Sequence, residues 1–268
     1  MLQTLQRSRT PSGAAYLDQG EGDETVVLIH GVGMRIEAWG PQIERLAETC
    51  RVIAVDLPGH GGSTPLDGPP RLEQFVAWFG RVLEELSLGP VNVAGHSMGA
   101  LIVTGIAATA QDKVRRVALL NGVHRRSEAA RKAVMARADE IVSGAFDREA
   151  PLSRWFSVEE RNSEAYVLVR DLLQAVDAAG YADAYRAFAS GDSIYSDCWP
   201  RVTRPALFLT GSDDMNSTAE MAQGMARAAP HGKVVVIPGH RHMVNLTTPE
   251  TVNAALADWL TWEVENDT

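Results

Sequence analysis

The chain is poor in cysteine: Cys50 and Cys198 stand alone among 268 residues. Neither lies in a metal-ligand spacing, and two isolated thiols make no disulfide framework, so a reducing cytoplasm fits. Basic residues are in deficit. Lys and Arg number 25 against 34 Asp and Glu, a formal charge of −9. That leaves no field to hold phosphates and argues against nucleic acid and against an anionic membrane surface. No apolar run approaches the roughly 18 residues that a membrane span needs. Met1 to Gly13 holds two arginines and no apolar stretch, unlike a secretory signal. Repeats and low-complexity tracts are also lacking. What remains, 45% apolar and 22% charged residues, is ordinary for a globular protein. The length suits one α/β domain with an insertion, or at most two small domains.

Short apolar runs alternate with amphipathic stretches. Thr25–His30 and Arg51–Asp56 read as strands buried on both faces, and Val91–Ala94, Val114–Asn121, Arg204–Thr210 and Lys233–Pro238 as further strands. Pro41–Glu48, Arg71–Leu86, Ala219–Ala228 and Pro249–Trp262 have helical spacing, and the last opens on proline, as helix N-termini favour. Leu2–Arg7 and Ala14–Asp18 flank Thr10-Pro11-Ser12-Gly13 and predict an edge hairpin. The pattern predicts an α/β fold, a mostly parallel twisted sheet flanked by helices. It breaks from about 122 to 200, where Glu128–Val142, Val158–Val176 and Ala182–Ala189 read as helices and no strand is convincing. Residues 1–121 and 201–268 are expected to form the core, and 122–200 a helical cap inserted between two core strands. Such a cap would lie over the strand ends, where α/β sheets bind ligands.

Gly95-His96-Ser97-Met98-Gly99 is a G-x-S-x-G pentapeptide. By itself it is common. Here a β-prone run leads in and the Ala/Ile/Val/Leu-rich Ala100–Ala110 leads out, which is the strand-turn-helix context that lifts a serine hydroxyl to the top of a sheet. The first turn of the helix then offers free N–H groups to a developing oxyanion. The bland alternative is a Gly-rich turn with a serine helix cap.

A serine hydroxyl is a weak nucleophile that needs a base, and the base needs an orienting acid. Downstream, Gly211-Ser212-Asp213-Asp214 follows one predicted strand and Gly239-His240-Arg241-His242-Met243 follows the last. The chain order Ser, Asp, His fits, with two candidates in each loop. His240 and His242 with Asp213 and Asp214 could instead be read as a metal cluster, but no further ligand spacing supports it. His30, His60 and His96 lie in turn motifs, and His124 opens the expected cap.

These segments together resemble the α/β-hydrolase superfamily, in its small cap-bearing branch of esterases, C–C hydrolases, lactonases and cofactor-free perhydrolases. His30-Gly31-Val32-Gly33 with Trp39 is similar to the family's oxyanion segment, and Asp56-Leu57-Pro58-Gly59-His60-Gly61-Gly62-Ser63 to its D-x-P-G-x-G-x-S turn. The G-x-x-D acid loop selects Asp214. Counting seven residues back from Pro249 of Pro249-Glu250-Thr251-Val252-Asn253 selects His242. Arg241 stands where the family usually has glycine.

The resemblance implies a Ser97–His242–Asp214 triad, an oxyanion hole from the backbone N–H groups of Val32 and Met98, an acyl-enzyme, and no metal or organic cofactor. Serine at position 97 sets the chain apart from aspartate-nucleophile dehalogenases and epoxide hydrolases. Met34, Trp155, Tyr166 and Met243 are candidates for the substrate pocket. The expected partner is a small molecule: an ester, lactone, amide or thioester. The alternatives are a dienoic or diketo acid cleaved at a C–C bond, and a non-enzymatic ligand-binding protein on the same fold. Nothing in the sequence chooses between monomer and homodimer.

Overall fold

The computed structural model describes residues 4–263. Eight strands form one sheet in the order β1-β2-β4-β3-β5-β6-β7-β8. They are β1 Ser8–Arg9, β2 Ala15–Gln19, β3 Thr25–Ile29, β4 Arg51–Val55, β5 Val91–His96, β6 Val114–Leu120, β7 Ala206–Gly211 and β8 Gly232–Ile237. β1 and β2 pair antiparallel, β2 runs antiparallel to β4, and the other pairings are parallel. The edge hairpin forms with Ser8 opposite Tyr16, so its first strand follows the expected Leu2–Arg7 instead of lying within it. Residue 2 lies outside the described residues. Arg7 is drawn out of any strand by Glu37 and Asp56, with Nη2 to Glu37 Oε2 at 2.6 Å and Nε to Asp56 Oδ2 at 2.5 Å.

The helices are α1 Gly40–Leu46, α2 Leu72–Glu85, α3 Met98–Thr109, α4 Glu128–Val142, α5 Ala150–Trp155, α6 Glu164–Ala175, α7 Ala178–Gly191, α8 Ala219–Ala228, α9 Val244–Thr247 and α10 Pro249–Leu260. Alternate strand residues feed two cores. Val27, Ile29, Val91 and Val93 join residues of α2, α3 and α7. Val26, Leu28, Val52 and Ala94 join residues of α1 and α10. A strand buried on both faces cannot alternate with polar residues, which is why these runs are continuously apolar. α3 follows the same logic: every residue from Met98 to Ala107 is buried, and a helix enclosed on all sides is apolar all round.

Between β6 and β7 the chain runs through α4 to α7, with no strand among the described residues there. Side-chain caps set three of these helices. Ser127 accepts from Ala130 N–H, Ser163 from Tyr166 N–H and Asp177 from Gly180 N–H. The Ser163 cap explains why the expected single helix Val158–Val176 is instead a 3-10 turn, Glu159–Asn162, followed by α6. The Asp177 cap starts α7 four residues before the expected Ala182. α5, with Pro151 in its first turn, was not expected; at six residues it is too short to show a helical period. Among the described residues no helix is long and apolar enough to cross a membrane.

Candidate active site

The site sits where β5 ends at the centre of the sheet. Ser97 has φ 55° and ψ −109°, a left-handed conformation that costs a non-glycine residue on the order of 1 kcal/mol or more. The turn is so tight that its glycines have no substitutes. A Cβ on Gly95 would lie 2.3 Å from the Gly99 backbone, and one on Gly99 would lie 2.1 Å from Ile29 O. The spacing of the pentapeptide is therefore a packing requirement. Ser97 N–H is spent on Leu120 O at 2.9 Å. Its hydroxyl, on a residue only 6% exposed, is held 3.0 Å from His242 Nε2.

His242 Nδ1 lies 2.7 Å from Asp214 Oδ2. Burial alone would raise the Asp214 carboxyl, but His242, Asn121 and backbone N–H groups overrule it and hold the carboxyl below the ordinary carboxylate range. A charged Asp214 is an acceptor only, so Nδ1 carries the imidazole proton and Nε2 faces the Ser97 hydroxyl as an acceptor. Asn121 Nδ2 donates to the same Asp214 oxygen at 2.8 Å, and Asn216 and Ser217 N–H donate to Oδ1 at 2.8 and 3.1 Å. Sequence reading missed Asn121. It stands just past β6 with φ 49°, and its position at a strand end was the only available signal.

The alternative residues in both loops lie elsewhere. Asp213 is exposed and accepts from Ser212 Oγ at 2.6 Å. His240 Nδ1 is 3.0 Å from Thr247 Oγ1 and 3.6 Å from Glu160. The Asp213, Asp214, His240, His242 cluster is thus not brought together. His124 lines a separate small cavity with Asp192 and Tyr195.

Three buried histidines brace the loops around Ser97. Leu57 N–H donates to His30 Nε2 and Gly33 N–H to His60 Nε2, both at 3.0 Å, while His96 Nε2 lies 2.8 Å from His242 O. Burial lowers all three, His60 to about 4 and His96 to about 3. They are neutral struts at neutral pH. The segment His60 braces includes Val32. Among the described residues no hydrogen bond runs from the N–H of Val32 or of Met98, and both stand beside Ser97: Val32 lines the same cavity, and Met98 follows Ser97 in the chain.

A cavity opens over Ser97 and His242. Trp155 lines it and stacks on the His242 ring, with centroids 5.6 Å apart. The other three pocket candidates do not line it. Met34 faces a second cavity near Gly59 and Leu172. Tyr166 packs edge-on to Phe156 at 5.2 Å. Met243 is buried in the core. Instead, the walls carry Arg126, Arg137, Arg154, Tyr181, Tyr185 and Phe188. Isolated arginines carry no motif, so the sequence held no signal for them.

Arg241 is a strut. Its Nη1 donates to Ser153 O at 3.2 Å and Phe156 O at 2.9 Å, and His242 N–H donates to Trp155 O at 3.3 Å.

The arrangement can move a proton from a serine hydroxyl to an imidazole beside a cavity sized for a small molecule. The model of the Alpha/beta hydrolase family matches residues 26–255. The chain is 52% identical over 257 residues, covering 96% of this chain and 97% of its relative, to an (E)-2-((N-methylformamido)methylene)succinate hydrolase of Acinetobacter baylyi. Among solved structures it is similar to a thermophilic esterase from Thermogutta terrifontis solved with malate bound (TM-score 0.85, 26% identity, 96% of this chain and 98% of that one). It is also similar to the enol-lactonase from Burkholderia xenovorans (TM-score 0.84, 26% identity, 96% and 100%). The chain belongs to the alpha/beta hydrolase family.

Proposed function

We propose that the protein is a serine hydrolase that cleaves a small carboxylic ester, lactone, thioester or amide at Ser97. The observation that carries this reading is the continuous run of hydrogen bonds from Ser97 Oγ through His242 to Asp214 under an accessible cavity. As Ser97 Oγ attacks the acyl carbon, His242 Nε2 takes its proton and Asp214 holds the imidazolium. The oxyanion meets the N–H groups of Val32 and Met98, each worth roughly 3 kcal/mol in comparable sites. His242 then protonates the leaving group, and water, activated by the same nitrogen, releases the acyl-enzyme. No step calls on a metal or an organic cofactor.

Residues 122–200 act as a lid that closes the cavity over the acyl group, favouring short substrates in the cytoplasm over lipid at an interface. The 52% identical relative is named for a succinate bearing an N-methylformamido methylene group, so an N-acyl compound with carboxylates is the first substrate to try.

A fluorophosphonate probe with peptide mass mapping tests the assignment. Label is expected on Ser97 and absent from Ser97→Ala, together with turnover of p-nitrophenyl acetate. Label that persists on the alanine variant refutes the nucleophile. Turnover of dienoic or diketo acids in place of esters and amides would favour the C–C alternative.

A further inference from the structure

The cavity has the wrong charge for its protein. The chain carries −9, yet the cavity is lined by Arg126, Arg137 and Arg154 with no carboxylate among the lining residues. The three cations differ in how they are matched. Arg126, 7% exposed, pairs with the buried Asp192 at 3.3 Å and lies over the Phe188 ring at 4.4 Å. Asp192 also takes the Arg126 N–H and Arg131. Asp192 is thus a counter-ion that Arg126 shares with the more exposed Arg131, and the buried Nη2 of Arg126 has no hydrogen-bond partner among the described residues. Among the described residues Arg137 finds only a neutral partner, the Tyr185 hydroxyl at 3.1 Å. Arg154 has no hydrogen bond or ion pair among the described residues. Burial, and after it the neighbouring Arg137 charge, weakens the hold of Arg154 on its proton.

We propose that this cavity selects dianionic substrates: Arg137 and Arg154 each take one carboxylate, and the free Nη2 of Arg126 adds a hydrogen bond. Two half-buried cations side by side, with no ion pair to either and Asp147 the weakest of the charges acting on Arg154, repel each other and are poorly solvated. A monoanion relieves one of them. A dianion relieves both, and guanidinium matches carboxylate with two parallel N–H bonds. Arg126 already has a carboxylate partner in Asp192, so the two lining arginines that have none set the count. The proposal rests on the hydrolase reading for which bond is cut, but not for what binds.

A shape-matched series tests it on the whole protein. Succinate carries two charges, 4-oxopentanoate one and hexane-2,5-dione none. Each is titrated calorimetrically and as an inhibitor of p-nitrophenyl acetate hydrolysis. Succinate is expected to bind at least about tenfold tighter than 4-oxopentanoate, as one charged hydrogen-bonded contact allows, and the dione weakest, with the gap narrowing in high salt. Arg154→Met and Arg137→Met should each weaken succinate about tenfold and the dione less than twofold. Equal affinity of wild-type protein for succinate and 4-oxopentanoate overturns the proposal, whatever the variants do. Succinate binding to a protein that hydrolyses no ester would sink the hydrolase reading alone. Ester hydrolysis indifferent to succinate would sink the anion proposal alone.

Discussion

The strand ends that carry Ser97, Asp214 and His242 and the helices that wall the cavity over them are built on different constraints. At the strand ends, backbone packs on backbone: Gly95 and Gly99 have no room for a Cβ, and buried imidazoles brace the loops. Between β6 and β7, capped helices present long side chains to a cavity, and among these Arg137 and Arg154 are only half-buried. The first region determines what chemistry is possible, and its residues have few substitutes. The second is proposed to determine which molecule meets that chemistry, and its positions are expected to change identity without unfolding the sheet. The comparison holds only if substitutions in the two regions fail differently.

The largest effect is expected at Ser97, the proposed nucleophile. Ser97→Ala should lower kcat by about 10⁶-fold, as nucleophile removal does in comparable triads, with the far-UV circular dichroism spectrum retained. Asp214→Asn comes next, with a loss of about 10⁴-fold. Asp213→Asn, exposed and remote from His242, should stay within about threefold in the same steady-state assay. A reversed pair would mean that the acid loop is misassigned.

A third test asks whether the strand-end region is braced by neutral histidines. His60 titrates at about 4, pulled down by burial and then by the His30 charge, against an ordinary 6.5. The unfolded chain takes up the proton first, so stability is full above pH 6.5 and falls as pH drops toward 4, by about 3 kcal/mol. Urea midpoints between pH 7 and pH 4 should show the fall, and His60→Gln should lessen it, leaving the share of His30 and His96. A wild-type midpoint that does not move over that range would contradict the bracing role.

The smallest effect is expected in the cavity wall. Trp155→Ala should change kcat/KM by about tenfold, about 1.4 kcal/mol, and admit longer acyl chains. An unchanged acyl-length profile across p-nitrophenyl esters would mean that this wall does not set specificity.

The same division governed what could be read from sequence. Strands β3 to β7 were legible because burial on both faces demands continuous apolar runs, and the half-exposed edge strand β8 because of its run of three valines. The pentapeptide at Ser97 was legible because the turn admits no other spacing. Asp214 and His242 could be narrowed only to pairs by residue type, and the family's spacing separated them. Asn121 stayed hidden because an asparagine after a strand carries many meanings, and the first strand of the hairpin was displaced by the pull of Glu37 and Asp56 on Arg7. Three of the four pocket candidates fell outside the cavity, since bulk and apolarity do not say which way a side chain turns. The arginines that line it were invisible, because helix period and capping place a helix without naming what its exposed face meets.

Arg241 has a consequence for transplantation. The last carbonyls of a short helix have no partners within it. For α5 those partners come from two neighbouring residues of the histidine loop, Arg241 through its guanidinium and His242 through its main chain. The helices between β6 and β7 are therefore not a cassette. A chimera that exchanges them for a relative's would strand the Arg241 donors and remove the support under the imidazole, however well the two sheets match. Specificity in this chain is more readily moved by changing side chains within the existing helices than by swapping the helices themselves.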